Sequence, residues 1–253
     1  KFKTNVLDLE GKGLPDGQLT TIGAATILST YEQRIAENSL LSFFGRANYD
    51  YKGKYLVSLV MRQDGSSRFG PDNKFGYFPS ASLGWRFSEE EFVKDLNLIT
   101  EGKLRGSFGI TGNQSIGNYA ALGGYNNNGT YLGDAAIIFG GYPNASLKWE
   151  NTQQSNIGID LSFVNDRILF TGDMYLKKTT DLLFDVTVPG TTGVSSVPGN
   201  FGSLQNKGLE FTLSTINIVA PFKWSSTFTL ALNRNKILSL PDGLDYRPNI
   251  YNM

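Results

Sequence analysis

The stretch LSFFGRANYDYKGKYLVSLVMRQD, residues 41–64, decides the fold of this chain. On both sides of Lys52-Gly53, apolar and polar residues largely alternate one for one, which is typical of a strand with one apolar and one polar face. Lys52-Gly53 predicts a tight two-residue turn. We therefore expect a β-hairpin. Its apolar face carries Leu41, Phe43, Gly45, Ala47, Tyr49 and Tyr51 on the first strand and Tyr55, Val57, Leu59 and Met61 on the second.

Eight stretches of the chain alternate in this way, and the connections between them are short and long in turn. Together these features predict an all-β fold, an antiparallel transmembrane barrel wall with small turns on one side and large loops on the other. A strand of about eleven residues, at about 3.3 Å each and tilted by about 40°, rises about 28 Å, which matches the apolar band of such a barrel. Residues 39–253 are predicted to form the wall, and residues 1–38 a loop-rich, extracellular segment.

Three segments are predicted to lie outside the wall. A segment of about forty residues follows the fourth strand and another, 180–204, follows the sixth; loops of this length are usually functional. After the third strand, Ser88 and Glu91 form a capping-box pattern, and Phe92, Leu96 and Ile99 have helical spacing. This pattern predicts a short helix.

Composition excludes several classes of function. The 253 residues include 23 basic and 23 acidic side chains, and this balance argues against binding to nucleic acid. Histidine and cysteine are absent, which excludes cysteine nucleophiles, Ser-His-Asp triads and zinc sites built on histidine. No run of eighteen apolar residues occurs, so no transmembrane helix is predicted. We expect no cofactor and no metal. An oxygen-rich calcium loop at Asp64, Ser66, Asp72 and Asn73 does not fit the EF-hand spacing, and turn chemistry explains these residues.

Aromatic residues on the apolar face gather beside the short connections. Because amphipathic rings favour the headgroup region of a bilayer, this clustering predicts a lipid-facing aromatic belt, although core packing in a soluble sandwich remains an alternative. The predicted belt consists of Tyr49, Tyr51, Tyr55, Trp85, Phe87, Phe163, Phe222 and Trp224.

The opposite face carries charges of both signs, which must meet water or a polar plug if the strands span a bilayer. The candidate substrate-binding residues lie on this face and in the loops. Tyrosine and tryptophan in the longest loop can stack on sugar rings or pack the loop against its neighbours. The candidates are Arg62, Asp64, Arg68, Tyr125, Tyr131 and Trp149.

Several long segments of the sequence resemble those of one protein family. They are FGRANYDYKGKYLVSLVMRQDGSSRFGPDNKFGYFPSASLGWRFSEEEF (44–92), LRGSFGITGNQSIGNY (104–119), PNASLKWENTQQSNIGIDLSF (143–163) and NKGLEFTLS (206–214). These segments resemble the SusC/RagA family of TonB-dependent outer-membrane transporters of Bacteroidota. The resemblance extends over residues 40–240.

The resemblance implies a 22-stranded barrel with an N-terminal plug in the bacterial outer membrane. It implies import of oligosaccharides or peptides, powered through TonB, together with a SusD-like surface lipoprotein that acts as a lid. The chain is then expected to be a middle-to-late part of the wall, in contact with outer-membrane lipid. The plug, the segment that contacts TonB and the last strands are expected to lie outside it.

Two other functions stay open at this point. A surface glycoside hydrolase needs two carboxylates about 5–9 Å apart, and Asp160 with Asp173 is a possible cross-hairpin pair. A complete eight-stranded barrel could serve structure or adhesion, although the final residues NIYNM do not resemble a closing strand. The importer is a binding and translocation protein and not an enzyme.

Overall fold

The structure, a computed structural model, describes residues 1–13, 21–22, 25–95 and 98–241, and strands dominate them. One short helix, α1 (Glu91–Lys94), and 3-10 turns at Pro71–Asn73, Phe87–Glu89 and Gly190–Thr192 complete the regular structure of these ranges. The strands are β1 (Phe2–Lys12), β2 (Ile27–Asn38), β3 (Leu40–Tyr51), β4 (Tyr55–Ser66), β5 (Phe75–Trp85), β6 (Ile99–Asn113), β7 (Gly124–Tyr131), β8 (Asp134–Gly141), β9 (Glu150–Phe163), β10 (Ile168–Thr187), β11 (Ser196–Ile218) and β12 (Trp224–Ser239).

Eight of the strands form one antiparallel sheet in the order β12-β11-β10-β9-β6-β5-β4-β3. Its strands are the eight alternating stretches of the sequence, so the prediction of a partial, eight-stranded antiparallel wall is confirmed. Each strand pairs with its neighbour in sequence except where the β7–β8 hairpin stands between β6 and β9. The β1–β2 hairpin is likewise a separate two-stranded sheet.

The two faces of the sheet separate by polarity across its whole width. One row of paired residues crosses all eight strands and is apolar, whereas the adjacent row, one residue away on each strand, is polar in nearly every position. This is the alternation that a sheet between two unlike media requires. The apolar row is Tyr49, Val57, Leu83, Gly106, Ile157, Met174, Leu209 and Leu232, and the polar row is Asn48, Ser58, Ser82, Ser107, Asn156, Tyr175, Gly208 and Asn233.

The end of the sheet with the short connections, the short end, has a tight turn at the predicted residues, although three residues and not two separate the paired residues of β3 and β4. Lys52 and Gly53 have φ of 56° and 65°, the left-handed conformation that a type I′ hairpin turn needs at both central residues. The Gly53 N–H donates to Asp50 Oδ1 at 2.7 Å, which satisfies a turn amide. This turn fixes the register of β3 on β4, with Tyr51 opposite Tyr55.

At the long end, a small buried cluster holds the loops onto the strands. Trp149 lies between Phe69 and Phe78, with ring centroids 5.0 Å and 5.4 Å away. Leu147 and Ala121 complete the cluster. Because the rest of the sheet is a single layer, this loop cluster contains most of the buried apolar side chains among the described residues.

The prediction that residues 1–38 are loop-rich is wrong, because most of the described residues there belong to β1 and β2, which pair antiparallel. The side chains of β1 are almost all exposed, so neither of its faces is buried and no clean alternation marks it in the sequence. Residues 14–20 and 23–24 of this segment lie outside the described residues. The extracellular position of this segment stays a prediction.

The two long loops are also more regular than predicted. The segment after β6 contains the β7–β8 hairpin, and the ladder between β10 and β11 continues to Thr187 and Ser196, well inside the predicted loop 180–204. The strands of both segments therefore reach further along the chain than the eight alternating stretches indicate.

The predicted helix is present only as one turn. Its N-cap is Glu90 and not Ser88, no side chain caps it, and Ser88 Oγ is buried without a hydrogen-bond partner, so the capping box is wrong. Leu96 lies outside the described residues, and Ile99 begins β6. Within the described ranges, no helix has the length and apolar character needed to cross a membrane.

Pro79 lies in the middle of β5 without breaking the ladder on its β4 side, where it faces Met61. The pairing between β5 and β6 begins one residue later, at Ser80. The missing N–H of proline therefore falls where β5 has no second partner, which is where a strand tolerates it.

Candidate substrate-facing surface

A cavity of 540 Å³ opens on the polar face where β3, β4, β5, β6 and β9 lie side by side. Its polar side chains come from the predicted charged face and include both signs. A surface of mixed charge and hydroxyl groups suits a polar, overall neutral ligand better than a strongly charged one. The polar lining residues are Asn48, Asp50, Ser58, Ser82, Lys103, Arg105, Ser107 and Asn156.

Arg105 is the best-connected side chain of this cavity. Its guanidinium donates to both oxygens of Asp160, at 2.9 Å and 3.1 Å, and to Asp173 at 2.8 Å. The three residues lie on β6, β9 and β10, so the guanidinium connects three strands across the polar face. Arg105 therefore forms ion pairs with both carboxylates of the predicted cross-hairpin pair, Asp160 and Asp173.

A second cavity of 490 Å³ lies on the same face, nearer the long loops, and brings together three of the predicted site residues. Arg62, Asp64 and Trp149 all line it. Arg62 Nε lies 2.6 Å from Asp64 Oδ2, and a second guanidinium nitrogen donates to Ser42 Oγ at 3.2 Å. The Asp64 side chain is nearly buried, whereas that of Arg62 is about half exposed, so Arg62 offers the accessible charge.

Arg68 and Trp149 hold the loops around this cavity. Arg68 donates to Asn118 Oδ1 at 2.9 Å and to the Gln114 carbonyl at 3.0 Å, which connects the β4–β5 loop with the segment after β6. The Trp149 indole is only 6 % exposed and donates to the Lys74 carbonyl at 3.0 Å. Of the two roles open to Trp149, these contacts favour loop packing over stacking on a ligand.

The structure does not bring Tyr125 and Tyr131 to either of these cavities. Both lie on the β7–β8 hairpin and are about three-quarters exposed. Tyr125 contacts Phe139, which packs in turn against Tyr142, and the Tyr142 hydroxyl donates to the Thr192 carbonyl at 2.8 Å. The hairpin is thereby connected to the tip of β10–β11, and its two tyrosines remain free to meet a ligand from solution.

At the short end, Glu90 contacts Lys54 and two residues of the predicted aromatic belt. Its carboxylate accepts hydrogen bonds from Lys54 Nζ at 3.0 Å, the Tyr55 hydroxyl at 2.8 Å and Trp85 Nε1 at 3.2 Å. Hydrogen bonding to Lys54, and then to Tyr55 and Trp85, lowers the pKa of Glu90 to about 2. The carboxylate is therefore ionised at neutral pH and fixes two rings of the belt.

The other predicted belt residues differ in their exposure. Tyr49, Tyr51 and Trp224 are exposed on the apolar side of the sheet, and Phe222 is exposed in the connection between β11 and β12. Phe87 and Phe163 are partly buried, Phe87 because it lies in a 3-10 turn and packs against Trp85 with a centroid distance of 5.8 Å. Their contact with lipid stays a prediction.

The Arg105 cluster is the grouping that sequence reasoning missed. The sequence predicts Asp160 with Asp173 as a possible pair across one hairpin, but only the register of β6 on β9 shows that Arg105 contacts both carboxylates. In the part of the chain that the structure describes, no group of three acidic side chains is placed to hold a metal ion.

Comparison with known proteins gives the same fold. A family model described as "TonB dependent receptor-like, beta-barrel" matches residues 7–250. TonB-dependent receptor SusC of Bacteroides thetaiotaomicron is 42% identical over 217 residues, which is 82% of this chain and 22% of that protein. TonB-dependent receptor P3 of Formosa agariphila is 41% identical over 213 residues, 83% of this chain and 21% of that protein.

Solved structures extend the comparison. The RagAB peptide transporter superposes with a TM-score of 0.86 at 29% identity, covering 98% of this chain and 28% of that chain. The siderophore receptor PirA from Pseudomonas aeruginosa, at 13% identity, has a TM-score of 0.53 over 81% of this chain and 36% of its own, and shares the fold alone.

The sheet and its two unlike faces thus define a section of the wall of an outer-membrane β-barrel. The chain belongs to the TonB-dependent receptor family and is of the SusC/RagA type. It spans about a fifth of the length of the curated relatives that it matches.

Proposed function

We propose that this chain is part of the barrel wall of a TonB-dependent active importer and is not itself an enzyme. The observation that carries the proposal is the pair of eight-strand rows, one apolar and one polar, on a sheet that superposes on the RagAB peptide transporter. A wall of this kind separates lipid from a polar lumen. The relatives' names describe receptors and a transporter, which favours import over catalysis.

The polar face is the proposed path of the substrate. The 490 Å³ cavity, with Arg62 at its accessible edge, lies toward the long hairpins, and the 540 Å³ cavity lies toward the short turns. We infer that an oligosaccharide or peptide passes from the first to the second. Tyr125 and Tyr131, which are exposed on the β7–β8 hairpin, are proposed to contact it earlier.

We also propose a SusD-like lipoprotein as partner at the long-hairpin end, where β7–β8 and β10–β11 extend beyond the apolar rows. Residues 1–38, with the β1–β2 hairpin, are proposed to lie on the same, extracellular side. Energy is proposed to come through TonB.

The experiment measures uptake of fluorescent oligosaccharides and peptides by cells that express the full-length protein. The combined substitution of Arg62→Gln and Asp64→Asn removes both charges at the 490 Å³ cavity and should lower uptake of the cognate substrate about tenfold. Lys223→Gln, close to the short β11–β12 turn, is the matched control and should leave uptake unchanged.

A protonophore should abolish uptake in every case, because active import needs the proton gradient. Uptake that persists without a gradient would contradict the importer. Tandem purification should recover a surface lipoprotein with the full-length protein, and its consistent absence would contradict the partner proposal. Hydrolysis of a glycan panel by the purified protein would favour the enzyme instead.

A further inference from the structure

We call the apolar face of the sheet its outward face. On β10, β11 and β12 this face becomes basic toward the long hairpins, and the change occurs between one row of paired residues and the next. The row Ile157, Met174, Leu209 and Leu232 is entirely apolar. The next row toward the long hairpins is Ser155, Leu176, Lys207 and Arg234, and the one after it is Gln153, Lys178, Gln205 and Lys236. We call Lys178, Lys207, Arg234 and Lys236 the basic patch.

The height of the basic patch coincides with the far edge of the apolar band. Lys178 lies ten residues beyond Ile168, the first residue of β10, and Arg234 lies ten residues beyond Trp224, the first of β12. Ten residues at about 3.3 Å, on a strand tilted by about 40°, rise about 25 Å, which is the height of the apolar band of an outer-membrane barrel. The patch therefore lies where headgroups replace acyl chains.

All four side chains of the patch are exposed. On the described strands, none of the four takes part in a salt bridge. No Asp or Glu occupies the outward positions of the same rows or of the next row along β9 to β12. Four cations without acidic neighbours repel one another unless an anion lies among them.

Two depressions in the surface adjoin the patch. One, of 600 Å³, is lined largely by apolar side chains, including Ile157, Met174 and Leu209, with Lys207 and Arg234 also in its lining. The other, of 450 Å³, is lined by Gln205, Lys207, Arg234 and Lys236 among others. An apolar groove that continues into a basic one has the chemistry of a lipid with acyl chains and an anionic headgroup.

The other half of the sheet has no such patch at the corresponding place. The outward residues near the long end of β3, β4 and β5 include Leu41, Phe43, Phe75 and Tyr77, which are exposed and carry no charge. Aromatic side chains are the residues generally enriched where a barrel meets the membrane interface. The cations of β10 to β12 are thus a local feature and not a property of the whole rim.

We propose that the basic patch binds phosphate-bearing lipid headgroups of the leaflet next to the long hairpins. The phosphates lie among the four cations, and the acyl chains lie in the 600 Å³ groove below them. The proposal goes beyond transport, and it rests on the outward face meeting lipid, as proposed above.

The test uses the full-length protein in detergent and follows bound lipid by native mass spectrometry. The probes are phosphorylated lipid A, the same lipid A after enzymatic removal of its phosphates, and inorganic phosphate as competitor. Each Lys or Arg near a charged headgroup contributes about fivefold in affinity. One variant replaces all four patch residues by Gln; the matched control removes the same charge elsewhere and carries Lys12→Gln, Lys52→Gln, Lys177→Gln and Lys223→Gln.

The patch variant should bind phosphorylated lipid A at least about fiftyfold more weakly than wild type, and the control should bind like wild type. If the fourfold variant does not fold, Lys207→Gln and Arg234→Gln, tested singly, should each lose about fivefold. Equal binding by patch variant and wild type, or equal binding of dephosphorylated lipid A, overturns the proposal.

Two other results would also overturn the proposal. Displacement of the lipid by millimolar inorganic phosphate would reveal a small-anion site. Loss of a co-purifying protein from the patch variant would reveal a protein interface. Uptake is not part of the readout, so failure of the import proposal stays distinguishable.

Discussion

Substitution of Leu59 by arginine tests the assignment of the two faces most directly. Leu59 lies on the apolar side of β4, is 53 % exposed, and is paired with the small residues Ala47 and Ala81. In the described part of the chain, no second layer covers this side chain. Its exposure is therefore favourable only if the surrounding medium is apolar.

The magnitude follows from the depth of Leu59 in the band. It lies four residues above Tyr55, and four residues at about 3.3 Å with about 40° of tilt rise about 10 Å. The apolar band is about 25 Å high, so Leu59 lies within about 3 Å of its midplane, where arginine on a lipid-facing strand costs about 2–4 kcal/mol. We expect Leu59→Arg to lower the free energy of unfolding by about 3 kcal/mol.

The assay is chemical unfolding of the full-length protein refolded into lipid vesicles, followed by tryptophan fluorescence. The control is Ser58→Arg, one residue away on the polar row, which should change the free energy of unfolding by less than about 0.5 kcal/mol. A Leu59→Arg cost below about 0.5 kcal/mol, or an equal cost for both variants, would refute the assignment of the faces.

Three further outcomes are expected. The lowered pKa of Glu90, about 2, contributes stability that is present above its ordinary pKa of 4.5 and is lost as pH falls toward 2. Trp85 fluorescence should report this loss in wild type, and Glu90→Gln should remove the pH dependence; an unchanged acid transition would contradict the contact. Arg105→Met should destabilise the wall by about 1–2 kcal/mol in denaturant titrations, since it leaves Asp160 and Asp173 adjacent without a cation, and adding Asp160→Asn and Asp173→Asn should restore most of the loss. Gly53→Val should cost about 1–2 kcal/mol through its positive φ alone, whereas Gly53→Asn should cost much less, and equal losses would refute a backbone origin.

The parts of the wall that could be predicted from the sequence are those in which each residue responds to its own surroundings. The eight strands, their two faces and the turn at Gly53 follow from local alternation and local backbone preference. The hairpins β1–β2 and β7–β8 could not be predicted in this way, because most of their described side chains are exposed and strands without a buried face carry no clear alternation. The capping box at Ser88 failed for a related reason: the tertiary environment buries its hydroxyl in a 3-10 turn.

The features of the candidate site also separate into those that the sequence determined and those that depended on the tertiary structure. The sequence by itself determined that Arg62, Asp64 and Arg105 belong to the polar face, since strand periodicity assigns every residue to one side. Only the tertiary structure decided that Arg105 bridges Asp160 and Asp173, that Trp149 is enclosed by Phe69 and Phe78, and that four cations from three strands form one patch. The physical reason is that a side chain's face depends on its own position in a strand, whereas its neighbours depend on the register between strands that are far apart in the chain.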